Sequence, residues 1–307
     1  MGLYSAIISI ASRTLRSSFI LLFPALGEGI SERAGVLNVG VEGYMITGAL
    51  VAYYSYLMTG SIWIGFLMAM LAGAILSLVH SFFSITLRCN QIVSGIGIWL
   101  LGMGFTTYIS RLVGEMPAVE ILKPIAIPLL EKIPLVGPIL FNQNLLTYIG
   151  FITVPILAVI LYRTPWGLQN KGAGGSPLAT DMAGHNVFRI RYISTAICGL
   201  MSGLGGGYLA VGILSVFSEG MTVGRGFIAL AVVIFGGWDP KRILGAALFF
   251  TLIDAMQLYL QASGSAVPYP FLLMMPYVLT LIVLVAISKR AKNIPRKLTI
   301  PYARGEE

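Results

Sequence analysis

LGEGISERAGVLNVGVEGYMITGA, residues 26–49, decides how the chain must be read. Three carboxylates (Glu28, Glu32, Glu42), Arg33 and Asn38 stand there among apolar residues, with glycines at 27, 29, 35, 40 and 43. The sequence on either side is apolar enough to span a bilayer. An ionisable group at membrane depth costs roughly 2.5–3.5 kcal/mol or more unless it faces protein or water. Glycine permits sharp turns and close backbone approach. The stretch therefore reads as a broken or re-entrant element between two membrane helices, because non-helical backbone at that depth survives only where protein buries it or a cavity receives it. The competing reading is a solvated loop over 27–35 that carries Glu28, Glu32 and Arg33. Asn38 and Glu42 fit that loop less well. They are four apart, share one face of any helix and lead into the apolar run 44–57.

Working outward, the 307 residues are 57% hydrophobic and 10% charged, with mean hydropathy +0.87. A soluble domain carries about 25% charged residues. The composition specifies an all-α integral membrane protein, a polytopic bundle of about 8–9 transmembrane helices of roughly 20 residues each, in one domain over 1–307. Spans are expected near 14–27, 41–58, 62–87, 92–113, 145–162, 192–217, 224–237, 243–262 and 269–288. The short 224–237 segment reads as part of a discontinuous helix, as transporters use. The N-terminus has no basic region before its apolar run and no cleavage site, so it is not a signal peptide.

The net charge of +8 reflects basic loops rather than a nucleic-acid partner. Placing the loop after residue 162 inside puts 14 of the 20 basic residues inside and 6 outside, as positive-inside topology requires. The N-terminus is then outside and the C-terminus inside. Loop 114–144 holds prolines 117, 124, 128, 134 and 138 and reads, with Ile125 and Leu129, as a packed extracytoplasmic cap. The basic tail 289–307 reads as an anchor at the membrane surface.

Polar residues inside spans are functional candidates by default. Asn38, Glu42 and Tyr44 form one group. Gln91 and Ser94, with Asn90, open the fourth span. Asp254 and Gln257 are three apart and share a face, with hydrogen bonding inside the bundle as the plainer reading. These seven are the candidate solute pathway. Arg225 is expected to pair with Glu219 at the outer mouth. Catalytic and metal-ligating constellations are absent from the sequence: His80 and His185 have no zinc spacing, Cys89 and Cys198 read as buried inert thiols, and there is no P-loop. The glycine run 203–212 follows no strand and reads as close helix packing.

Inside loop 163–191, Ser176 and Pro177 open a short helix as N-cap and first position. Leu178, Ala179, Asp181, Met182 and Ala183 continue it, and Gly184 ends it. Leu178 and Met182 give it an apolar strip suited to a groove on a soluble partner.

Two of these stretches resemble one family. The run Glu28-Gly29-Ile30-Ser31-Glu32-Arg33-Ala34-Gly35-Val36-Leu37-Asn38-Val39-Gly40-Val41-Glu42-Gly43 is similar to the GERAGVLNVGLEG-like segment of permease subunits of ABC importers for nucleosides and related solutes. These belong to the wider branched-chain amino acid, ribose and simple-sugar permease family. Loop 163–191 resembles that family's coupling helix, RAVGENPxAAxxAGI, at Lys171, Gly174, Pro177, Ala179, Ala183 and Gly184. It departs at Gly175-Ser176, where the family has Glu-Asn, with Lys171 for Arg and Thr180 for Ala, so one acidic contact to the ATPase is missing. Residues 219–231, 235–240 and 275–277 extend the resemblance to residues 20–288. It implies a cytoplasmic-membrane permease for nucleosides, simple sugars or branched-chain amino acids. It also implies a second, different permease subunit, a solute-binding lipoprotein outside, and separate ATPase subunits that hold the ATP and Mg this chain does not. The residues alone leave open an ion-coupled secondary transporter using Glu42 and Asp254, and a membrane scaffold without transport.

Overall fold

The computed structural model describes residues 3–114, 117–126, 128, 130–263, 268–288 and 294–304. Leu129 and the first residues of the tail, 289–293, fall outside them. Helix α1 runs without interruption over Leu3–Arg33 and contains Pro24. It stops where Gly35 takes φ +91°, a backbone region that favours glycine. Glu28, Glu32 and Arg33 therefore occupy the last turns of a helix and are buried. The solvated-loop reading of 27–35 is corrected, and the break in the opening stretch is confined to residues 34–40.

Helix α2 (Val41–Thr59) ends on left-handed Gly60. Helix α3 (Ile62–Ser81) continues as a π-turn over Phe82–Thr86. Helix α4 (Gln91–Val113) opens on Asn90, whose side chain accepts from the N–H groups of Ile92 and Val93. The loop that follows holds the paired strands β1 (Pro124–Ala126) and β2 (Asn142–Asn144) and the short helix α5 (Val136–Leu140). Helix α6 (Leu145–Arg163) leads to α7 (Pro165–Gly175) and α8 (Pro177–Met182). Helix α9 (Val187–Gly207) passes into a π-helical turn over Tyr208–Leu214. Then come α10 (Arg225–Gly236), α11 (Pro240–Ala262) and α12 (Tyr269–Ser288).

Each of the nine expected segments coincides with one of these helices. Among the described residues six helices, α1, α3, α4, α6, α9 and α11, are long and apolar enough to cross a membrane. The core lies where α1, α2, α3, α9 and α11 pack together. The glycine run makes this contact: a Cβ on Gly203 would meet the backbone of α3 at Ala69, and one on Gly206 would meet the carbonyl of Met45 in α2. It serves close helix packing, as expected.

The two ends of the bundle are distinct. At one end the 114–144 loop packs on the first turns of α1. Ser12 donates to the Pro138 carbonyl at 3.0 Å, and Arg16 to Gln143 Oε1 at 3.2 Å. At the other end the close of α1, helices α7 and α8, the start of α9 and residues 294–304 meet one another. Arg191 binds three backbone carbonyls there, of Ala34, Ala173 and Ile300, at 3.1–3.3 Å. The tail is thus held by protein: Lys297 N–H donates to the Gly174 carbonyl at 2.9 Å, and Tyr302 packs with Ala173, Val187 and Ile190.

Candidate functional site

The candidate pathway residues fall into three places. The first is a buried polar spine around the 34–40 break. Ala34, Gly35 and Val36 still donate to carbonyls of α1, whereas Leu37, Asn38 and Gly40 leave that ladder and side chains satisfy their N–H groups. Glu28 accepts from the N–H of Asn38 at 2.8 Å and from Cys198 Sγ at 3.1 Å. Asn38 Oδ1 accepts from Gly40 N–H at 3.1 Å and from the Tyr44 hydroxyl at 3.0 Å. Gln91 Oε1 accepts from Leu37 N–H at 2.8 Å. Ser94 lies 3.0 Å from His80 Nδ1. Asn38 and Tyr44 have no exposed surface, so solute reaches them only if the bundle opens. Cys198 is buried as expected, whereas Cys89 is exposed.

One turn along α1, Glu32 accepts from the indole N–H of Trp238. Arg33 donates to the Trp238 carbonyl at 3.1 Å and to the Tyr162 hydroxyl at 3.2 Å, over whose ring it also lies. The Tyr162 hydroxyl donates to Asp239 at 2.7 Å. Asp239 also caps α11 through the N–H groups of Lys241 and Arg242. Burial pushes its pKa up, but the bonds from Tyr162 and the two backbone N–H groups, with the Arg242 charge, bring it net below its ordinary value.

The second place is the start of α10. This helix has twelve residues and begins beside the middle of α4, where Phe227 meets Trp99 edge-on at 5.2 Å. Its first N–H groups have no intrahelical acceptors. Glu42 supplies them from α2: its carboxylate accepts from Thr222 Oγ1 at 2.6 Å, Gly224 N–H at 2.8 Å and Gly226 N–H at 2.6 Å. A carboxylate at a helix N-terminus is favourable. Glu42 is therefore the cap of a broken helix formed by residues 180 positions away in sequence.

The third place is a cavity of about 230 Å³ between α1, α10, α11 and α12. Asp254 and Gln257 both line it, joined by Arg225, Thr251, Gln261 and Tyr277. Arg225 stands 3.7 Å from Asp254, and Tyr277 donates to the Val223 carbonyl at 2.9 Å. The expected Arg225–Glu219 pair is corrected: Glu219 pairs with Arg111 at 3.2 Å. Sequence reasoning overlooked Gln261 and Tyr277 as wall residues. The four-residue spacing of Gln261 from Gln257, and the Tyr277 hydroxyl beside Pro276, were the signals available.

On the opposite end, Ser176 and Pro177 open α8 and Gly184 ends it at φ +82°, although the Ser176 hydroxyl makes no cap bond. Leu178 is half-buried and lines a groove with Lys297, Ile300 and Tyr302. Met182 is 80% exposed, and Ala179 and Ala183 are exposed with it. Leu178 and Met182 thus do not share one outward face. Asp181 accepts from the Tyr302 hydroxyl at 3.0 Å and from Arg304 at 2.9 Å. Among the described residues no cluster of side chains suits a metal.

The family described as "branched-chain amino acid transport system / permease component" matches residues 10–288. A guanosine ABC transporter permease protein of Bacillus subtilis is 38% identical over 97% of each chain. A nucleoside ABC transporter permease protein of Lactococcus lactis subsp. cremoris is 33% identical over 92% of this chain and 93% of its own. A putative glucose ABC transporter permease protein of Haloferax volcanii is 39% identical over 82% of this chain and 78% of its own. No solved structure matches the chain.

Proposed function

The chain belongs to the family of permease components of branched-chain amino acid transport systems and is the membrane subunit of an ABC importer. From that premise we propose that its solute is a nucleoside or a related small polar molecule. The observation that carries the proposal is the polar wall of one cavity. Arg225, Asp254, Gln257, Gln261 and Tyr277 offer charge, two amides and an aromatic hydroxyl around one cavity, a donor and acceptor set suited to a base and a ribose. The names of the guanosine and nucleoside relatives support the same class. The pathway consists of this cavity with Glu42 at its head and the Asn38, Tyr44, Gln91 and Ser94 spine beside it.

The six apolar helices are joined as membrane elements by α2, the half-helix α10 and α12, giving nine. The end that carries α7, α8 and the tail faces the cytoplasm, the C-terminus with it. The exposed Ala179, Met182 and Ala183 of α8 dock on an ATPase subunit that holds ATP and Mg, and Asp181 fixes α8 to the tail. A second permease and a solute-binding lipoprotein complete the importer. Membership of the ABC permease family speaks against ion coupling, and Glu42, one of its two candidates, already accepts from three donors.

The test is uptake by cells carrying the full transporter, with labelled guanosine, glucose and leucine compared. Guanosine uptake lost on deletion of this chain supports the proposal. Loss of glucose or leucine uptake, with guanosine unaffected, overturns it.

A further inference from the structure

A cavity of about 460 Å³ opens at the α7–α8 end of the bundle, and its wall carries three cations, Arg33, Lys171 and Arg296, beside Tyr162 and Trp238. No carboxylate among the described residues lines it. Arg33 is the anomaly. It is 8% exposed, yet the partners it touches are neutral: the Trp238 carbonyl, the Tyr162 hydroxyl and the Tyr162 ring. The adjacent Glu32 is turned to the Trp238 indole. Asp239 is reached only through Tyr162, and it is committed to the start of α11. A buried cation with no anion in direct contact is costly, and two further cations on the same wall add to the repulsion.

We propose that this cavity binds the phosphate of an anionic phospholipid headgroup, with Arg33 at its floor and Lys171 and Arg296 at its mouth. Basic pockets between membrane helices receive such groups, and arginine fits phosphate oxygens in pairs. The rim argues for a lipid rather than a free ion. Tyr162 is the last of an exposed stripe on α6, after Ile152, Ile156 and Val159. That stripe gives an acyl chain an apolar track that ends at the cavity, and the exposed Tyr162 is of a residue type that favours the headgroup level.

The experiment uses the full chain purified with its partner subunits, in nanodiscs of phosphatidylcholine alone and with added phosphatidylglycerol. The readouts are Tm and the lipids retained in native mass spectrometry. Lys171→Gln/Arg296→Gln removes two exposed cations and leaves the buried Arg33 in place, so folding is preserved. Lys241→Gln removes an exposed charge from the same end but outside the cavity. The expected result is a Tm rise with phosphatidylglycerol and retained phosphatidylglycerol, both at least halved in the double variant and unchanged in Lys241→Gln. An unaltered response in the double variant overturns the proposal. So does an equal loss in Lys241→Gln, which is diffuse surface attraction. Equal stabilisation by inorganic phosphate in detergent, lost in the same double variant, marks a small-anion site and overturns the lipid assignment.

Discussion

Glu42 and Glu32 differ in what their oxygens receive. Glu42 accepts three bonds, two from backbone N–H groups that no other acceptor serves. Glu42→Gln turns an NH₂ toward one of those donors and removes the charge that α10 favours. A buried donor left unsatisfied costs about 1–3 kcal/mol. The expected outcome is a lower melting temperature in detergent and impaired uptake, with membrane insertion intact. Glu32→Gln keeps an oxygen for the Trp238 indole, so its effect should be the smaller one, read in the same two assays. Equal effects at both sites would remove the capping argument. The sequence alone leads to the same expected ranking, but on a different ground. Glu32 looked solvated because it sits among glycines and Arg33. Its partner Trp238 stands 206 residues away, beyond any local pattern. Asp254 gives a second prediction at this scale. Its contact with Arg225 is partly exposed, 33% and 25% for the two side chains, and such pairs contribute about 0–1 kcal/mol. Asp254→Asn should therefore melt within about 1 kcal/mol of the parent and retain most uptake. The double variant with Arg225→Gln should be no worse than the poorer single one, as a double-mutant cycle would measure.

Helix α8 was foreseen from its cap, proline and terminal glycine, because those signals are local. Its orientation was not, because the tail that covers Leu178 lies more than a hundred residues on. Two substitutions separate the faces. Met182→Asp places a charge on an exposed position. It should leave the melting temperature unchanged while the ATPase no longer co-purifies. Leu178→Asp strikes the groove shared with Ile300 and Tyr302, so it should also lower the melting temperature. Undiminished co-purification and normal ATP-driven uptake in Met182→Asp would reduce α8 to an interfacial segment. Ser176 makes no side-chain cap, and Asp181 holds α8 to the tail.

Across the molecule, the helices long and apolar enough to cross a membrane, six among the described residues, were legible because a helix in lipid must satisfy its own backbone, which leaves hydropathy and length as sufficient signals. The first helix was underestimated at both ends, since Arg13, Arg16 and the carboxylates near residue 30 mask its continuity. Its polar residues are satisfied by α9, by the turn before α11 and by the 114–144 cap, and only the assembled bundle displays those partners. Sidedness can be read with the two native thiols. Cys89 is exposed at the turn between α3 and α4, and Cys198 is buried. A membrane-impermeant maleimide should label Cys89 in inverted vesicles and leave it unmodified in intact cells, with Cys198 unlabelled in both until the protein is denatured. Labelling of Cys89 from outside would invert the whole topology.

Arg191 ties together carbonyls at positions 34, 173 and 300, and this sets an order of events during synthesis. The first two acceptors are already made when Arg191 leaves the ribosome, whereas Ile300 follows 109 residues later. At translation speeds of roughly 5–20 residues per second, that delay lasts roughly 5–20 s. Through that interval one arm of the guanidinium has only water or lipid for company, and α7 and α9 are clasped without their third member. The last contact to form thus reports that synthesis has passed residue 300, and a product terminated before it carries an open guanidinium at the membrane surface.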